Sequence, residues 1–209
     1  MRVAGVDGTK GGWVAVTLDD GRIRSIQRVE GVETRFADLD VNVIAIDVPI
    51  GFGPRQADSQ ARATVGGSTV FAIPAAEAFD GERYGPGLGI SAQAFALGPR
   101  IRWASRLAET DRRLYEVHPE VCFWAMNGGR RLAHRKKSAG GILERVSLLE
   151  GHGLGIDFAM LGDAASAPFD DVLDAAACAW TAERIEGGRA VSLPDPPQEV
   201  GRLRMAIWY

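Results

Sequence analysis

Two short apolar runs in this chain end in the same residue type. Val3-Ala4-Gly5-Val6 leads into Asp7, and Val43-Ile44-Ala45-Ile46 leads into Asp47. The second run, continuing to Val48, is apolar on both faces. That is the pattern of a strand buried in a sheet covered on both sides. A carboxylate at the end of such a strand loses hydration unless something compensates it. In open α/β sheets the carboxyl ends of the strands are also where ligands bind. The alternative use of an Asp there is to cap a turn by accepting backbone N–H groups.

The surrounding pattern predicts a mixed α/β sheet. Trp13–Leu18 is rich in β-formers and runs into Asp19-Asp20-Gly21, a hairpin signal, after which Ile23–Val29 alternates apolar and polar residues. Leu114–Val117 reads as a further strand. Helices are expected over Arg55–Thr64, Ser91 to about Glu109, Gly140–Glu150, and from Ala167-Pro168 to Glu186, where Gly187-Gly188 stops the last one. Gly98-Pro99 should interrupt or kink the second. The stretch 51–98 is rich in Gly, Pro, Ala and Ser, with loops expected around Gly66-Gly67-Ser68 and Gly81–Gly89. With 209 residues and no repeat, one domain spanning 1–209 with an elaborated middle is the expectation.

The last helix adds acids to the picture. At about 100° per residue, Asp171, Asp174, Ala175, Cys178, Ala182 and Ile185 share one arc, while Glu183 and Arg184 face away toward solvent. Acids in a first turn suit the helix dipole. That role explains Asp170 and Asp171 better than it explains Asp174, which sits on the side packed against the sheet. Glu116-Val117-His118-Pro119-Glu120 places Glu116 and His118 on one face of a strand that Pro119 ends. His118 is either a structural histidine or a group that orients a carboxylate or a phosphate oxygen. Clustered carboxylates repel and raise one another's pKa unless a cation is shared among them. Mg²⁺ or Mn²⁺, hard ions that prefer carboxylate oxygen, is the expected partner. Two such ions about 4 Å apart stabilise the attacking and leaving oxygens of phosphoryl displacement.

These motifs resemble a family of predicted nucleases with an RNase H-like fold, known as domain of unknown function 429. The resemblance is carried by Gly5-Val6-Asp7-Gly8-Thr9-Lys10-Gly11-Gly12-Trp13, Ile46-Asp47-Val48-Pro49-Ile50-Gly51 and Ser91-Ala92-Gln93-Ala94-Phe95. It continues through Glu116-Val117-His118-Pro119-Glu120, Asn127-Gly128-Gly129, Lys136-Lys137 and Asp170-Asp171-Val172-Leu173-Asp174-Ala175. It implies an RNase H-like mixed five-stranded sheet flanked by helices. The segment starting at Asp171 is also similar to the final acidic helix of Holliday-junction resolvases of that fold. That likeness implies Asp7, Asp47, Asp171 and Asp174 as metal ligands, with Glu116 a catalytic addition from the family's own pattern. Asp47 stands where the resolvases carry the longer Glu.

Substrate contacts are expected from Lys10, His118, Arg135, Lys136 and Lys137. The last three belong to Arg130-Arg131-Leu132-Ala133-His134-Arg135-Lys136-Lys137, which is either a solvated surface or a phosphate-binding patch beside the acids. Trp13, Trp103 and Trp124 are expected to pack in the core rather than stack on bases. The 24 Lys+Arg against 27 Asp+Glu give a formal charge of −3, which excludes a protein that holds nucleic acid by bulk positive charge. It leaves room for a nucleic acid or other phosphodiester substrate bound through metal and a local patch. No signal peptide or membrane-length apolar run is visible, and Cys122 and Cys178 suit free thiols in a reducing cytosol, so a cytoplasmic protein is expected. Two other functions fit parts of the pattern. One is a non-catalytic binding protein of the same fold. The other is a nucleotide-dependent phosphotransferase, because Asp7-Gly8-Thr9-Lys10-Gly11-Gly12 resembles the phosphate loop of sugar kinases and actin-like ATPases.

Overall fold

A computed structural model describes all residues except 37, 68, 82 and 86–89. The strands are β1 (Arg2–Thr9), β2 (Gly12–Asp19), β3 (Arg22–Glu30), β4 (Val43–Ile46) and β5 (Leu114–Glu116), followed near the C-terminus by β6 (Ser192–Val200) and β7 (Leu203–Trp208). The helices are α1 (Gln56–Val65), α2 (Ala92–Thr110), α3 (Pro119–Met126), α4 (Ala139–Gly151) and α5 (Phe169–Glu186). Five strands form one sheet in the order β3-β2-β1-β4-β5. β1 pairs antiparallel with β2, β2 antiparallel with β3, and β4 runs parallel to both β1 and β5. This is the mixed five-stranded sheet, flanked by helices, that the resemblance implies.

Local sequence explains most of these elements. The β2–β3 turn takes positive φ at both Asp20 and Gly21, the twist that a two-residue hairpin requires. Ser91 and Ser138 cap α2 and α4, each accepting the N–H three residues on at 3.1 Å. Period-two alternation assigns the two faces of the central strands. Val3 and Gly5 of β1 and Val43 and Ala45 of β4 look toward α5, in a core shared with α3 and α4. Ala4, Val6, Ile44 and Ile46 look the other way, into a core that includes Ile101 and Trp103 of α2. Trp13 and Trp103 lie in this second core with ring centroids 5.1 Å apart.

One contact sets the height of α5 over the sheet. A Cβ built on Gly5 would fall inside contact distance of the Ala175 carbonyl oxygen and the Ala179 nitrogen, and 2.6 Å from the Ala179 Cα. Helix backbone therefore rests directly on strand backbone at this point.

Several expectations need correction. α2 is continuous from Ala92 to Thr110 with Pro99 inside it. Proline removes one backbone donor there, and Arg100 ties the following turn to the sheet by donating to the Thr9 and Gly12 carbonyls at 2.7 and 3.2 Å. Pro119 both ends β5 and opens α3, using the first-turn position where its missing N–H is harmless. α5 is not one-sided: every residue from Val172 to Ala182 is buried, because α3 and α4 cover the side away from the sheet. Glu183 and Arg184 are half-buried, with Arg184 stacked 4.6 Å over Trp180. The β6–β7 hairpin was not foreseen. It docks through a Val117–Trp208 bridge beside β5 and packs against α1. Cys122 and Cys178 are buried free thiols. The loops expected around Ser68 and across Gly81–Gly89 lie partly outside the described residues, and so does part of the elaborated middle.

Gly5→Ala tests the seating of α5. The added methyl meets backbone rather than a movable side chain, so a loss of about 3 kcal/mol or more is expected in urea unfolding. A loss under about 0.5 kcal/mol would show that the helix can lift without consequence.

Candidate metal centre

The same alternation that buries Val3 and Gly5 carries Asp7 onto the α5 face, and Val43 and Ala45 carry Asp47 there too. The parallel register aligns Val6 with Ile46, and the Asp47 N–H donates to the Val6 carbonyl at 2.9 Å, so the two acids are neighbours at the strand ends. α5, held down at Gly5, lowers Asp174 into the same place. One oxygen from each of Asp7, Asp47 and Asp174 lies within 4.8 Å of the others. Asp7 and Asp174 are only 6% and 2% exposed, and Asp47 is half-buried.

The electrostatics of the group are unbalanced. Burial, then the charges of Asp47 and Asp174, push the Asp7 carboxyl well above its ordinary range. Burial raises Asp174 to about 7, against the opposing pull of Lys136. Burial pulls the Lys136 ammonium down, but Asp174, Asp7 and Asp47 outweigh it and hold the lysine more firmly protonated than usual. Lys136 forms an ion pair with Asp174 Oδ2, while the buried Asp174 Oδ1 has no partner among the described residues. An unpaired buried carboxylate oxygen is expensive in a folded core. Three hard oxygen donors at this spacing fit a Mg²⁺- or Mn²⁺-sized ion.

The other anticipated residues fall in different places. Asp171 lies almost one turn before Asp174, half-buried and outside the three-acid group. Burial raises it, and a hydrogen bond with the Thr9 side chain works in the opposite direction. Glu116 borders the same cavity but stands outside the three-acid group. It pairs with Ile46 in the sheet register, so alternation turns it to the face opposite Asp7 and Asp47. There its Oε2 accepts the Ile50 N–H at 2.8 Å and its Oε1 pairs with Arg55. Burial lifts Glu116 to about 7 despite that guanidinium. His118 occupies the N-cap position of α3 without a side-chain capping bond, its Nε2 is 3.2 Å from the Thr69 carbonyl, and its buried Nδ1 has no partner among the described residues. Lys10 is exposed in the β1–β2 turn and does not line the acidic cavity. Lys137 is exposed 3.5 Å from Asp170, and Arg135 is exposed in the loop before α4.

Two arginines were not anticipated. Arg100, besides its bonds to β1 and β2, stacks 4.8 Å over Trp13 and lines the cavity beside Gly8. Arg55 is buried between Glu116 and Asp58 and donates to the Ile50 carbonyl at 3.1 Å, which clamps the loop that follows Asp47. For Arg55 the only sequence signal was its i, i+3 spacing from Asp58. For Arg100 there was none, because its partners lie some ninety residues away.

The carboxylates open into a cavity of about 430 Å³, also lined by Pro49, Phe71, Ile73, Gln93 and Leu97. The sequence model of a family described as "Protein of unknown function (DUF429)" matches residues 5–199. The chain belongs to this family. Among solved structures, this DUF429 chain is similar to Thermus thermophilus RuvC at 16% identity, covering 90% of this chain and 98% of that one, with a TM-score of 0.38. No curated protein matches it. Among the described residues, no helix is long and apolar enough to cross a membrane.

The raised carboxyls fix the sign of a pH dependence. Asp174 shifts from 3.8 to about 7, so the folded state retains a proton that the unfolded chain releases in that window. Without divalent ions, this site's contribution to stability is therefore greatest at the acid end and is lost as pH rises from 3.8 toward about 7. Asp7→Asn removes one of the three charges. Its stability relative to wild type should increase as pH rises from 3.8 toward about 7 in EDTA. A difference that stays constant with pH, measured by thermal melts, would contradict a shared-charge site.

Proposed function

We propose that this protein is a divalent-metal-dependent phosphodiesterase acting on nucleic acid, that is, a nuclease. The observation that carries the reading is the convergence of Asp7, Asp47 and Asp174, with one buried oxygen of Asp174 left without a partner among the described residues. Asp7, Asp47 and Asp174 would hold Mg²⁺ or Mn²⁺, with Asp171 available one turn away on α5. A divalent ion so held supplies Lewis acidity and charge neutralisation for attack of water on a phosphodiester.

The chain's own groups divide the remaining work. Lys136 lines the cavity and is paired with Asp174, so its ammonium can pass from that carboxylate to a phosphate oxygen. Gln93 and His118 border the same space and can position the substrate. Glu116 has both oxygens engaged and acts as a positioning residue, fixing with Arg55 the loop from Asp47 to Arg55. Phe71, Ile73 and Leu97 make part of the wall apolar, which limits bulk water around the reacting groups.

A second reading draws on the Lys136–Asp174 ion pair, which neutralises part of the acidic group without metal. It would make the protein a non-catalytic binder of the same fold. Hydrolysis of bis(p-nitrophenyl) phosphate and of labelled DNA and RNA, with and without Mg²⁺ or Mn²⁺, separates the two. Metal-dependent cleavage is expected. Asp7→Asn and Asp174→Asn should lower it by at least the 10- to 100-fold that loss of an outer-shell partner causes at metal sites. Cleavage in EDTA, or variants as active as wild type, would overturn the hydrolytic reading. Absence of both cleavage and Mn²⁺ binding would establish the binder, and ATP turnover without cleavage would point to phosphotransfer.

A further inference from the structure

A second cavity adjoins the acidic one. A space of about 560 Å³ shares Thr69, Glu120 and Lys136 with the first, and beyond them it is walled by Trp124, Arg131 and Arg135. Lys136 therefore stands at the junction, with its ammonium on Asp174 and its neighbours in the basic run lining the far side.

Two cations of this second cavity, Arg131 and Arg135, have no carboxylate partner among the described residues. Glu120 is committed to the buried Arg145. Arg131 donates from Nε and Nη2 to the Thr64 and Ala63 carbonyls at 3.0 and 3.1 Å, which ties it to the end of α1 without a carboxylate partner among the described residues. The Arg135 side chain makes no ion pair among the described residues, although its backbone is fixed. Its carbonyl accepts from the Ser138 N–H and hydroxyl at 2.9 and 2.8 Å, and Gly141 packs directly on it. A free guanidinium on a pinned backbone loses little freedom when it meets an anion.

Trp124 supplies the aromatic element. It is half-buried, held edge-on by Tyr209 with ring centroids 5.6 Å apart and an interplanar angle of 74°, and backed by Gly129. Basic groups interleaved with an aromatic ring along a concave tract are the recognition elements for unpaired bases and their backbone. Paired bases in a duplex are stacked on each other and offer no face to a side chain in such a wall.

We propose that the substrate is a single-stranded polynucleotide, whose strand leaves the carboxylates past Lys136 and continues through this tract, with a base against Trp124 and phosphates on Arg131 and Arg135. The proposal rests on the phosphodiester reading of the Asp7–Asp47–Asp174 site and adds the form of nucleic acid and its path. The notable shift from the sequence alone is that Trp124, expected in the core, lies in the wall of this tract.

Fluorescence anisotropy tests it, with a labelled twelve-nucleotide strand as DNA and as RNA, and with the matching duplexes. The protein is the full chain carrying Asp7→Asn, so that bound strand stays intact. Single strand should bind at least about tenfold tighter than duplex. Arg135→Ala in that background should lower the slope of log affinity against log salt by about 0.7, the contribution of one phosphate contact on a single strand. Trp124→Ala should weaken binding about tenfold or more. Should Trp124→Ala fail to fold, the exposed Arg135 carries the test by itself. Equal affinity for duplex and single strand, or an Arg135→Ala variant with unchanged affinity and slope, would overturn the proposal. Single-strand binding by wild type without hydrolysis would remove the phosphodiesterase reading and leave the strand path standing. Hydrolysis with unaltered binding in the tract variants would do the reverse.

Discussion

The backbone of α5 rests on Gly5 of β1 with no side chain between them, and the candidate site depends on that contact. A longer residue at position 5 would lift the helix and withdraw Asp174 from Asp7 and Asp47. The small residues Ala175 and Ala179 complete the seat, and α3 and α4 press on the helix from behind. Close packing thus forces a third carboxylate into a space where two already stand. Helix seating and charge crowding are two aspects of one arrangement.

Two groups of buried acids in this molecule separate structure from chemistry. Glu116 and Asp58 are both raised by burial, yet each is satisfied: Arg55 bridges them, and the Ile50 and Ile73 N–H groups donate to them at 2.8 Å. They clamp loops. Among the described residues, Asp7, Asp47 and Asp174 share one ammonium, that of Lys136, and leave Asp174 Oδ1 without a partner. A fully paired network has no need of an external cation, whereas this group has room and charge for one. The distinction comes from partner geometry, because burial raises carboxyls in both groups alike.

Much of this was legible in the sequence, for reasons that can be named. Unbroken apolar runs ending in Asp7 and Asp47 marked both as buried strands closed by an acid, while their common face follows from the register of β1 against β4. Helical spacing put Asp174 on the sheet side of α5. The same rules could not give the face of Glu116, because the alternation of β5 can be read only once its register against Ile46 is known. The β6–β7 hairpin was hidden by Pro194, Pro196 and Pro197, which interrupt its pairing between Leu193 and Gln198 and make the segment look unlike a strand. Pro119 misled by serving two elements at once. Arg55 and Arg100 act through partners distant in sequence, and their roles exist only after the chain has folded. The basic run was left open between surface and site, and in the structure it divides: Lys136 reaches Asp174, while Arg135 and Lys137 remain exposed.

The central claim is that Asp7, Asp47 and Asp174 together bind a divalent cation. Crystals of the protein soaked in Mn²⁺ and measured for anomalous scattering test it most directly. The expected result is a peak bonded to oxygens of all three carboxylates at about 2.0–2.2 Å, with Lys136 displaced from Asp174. Saturating Mn²⁺ that leaves Lys136 on Asp174, with anomalous density absent from the three acids or located elsewhere, would contradict it.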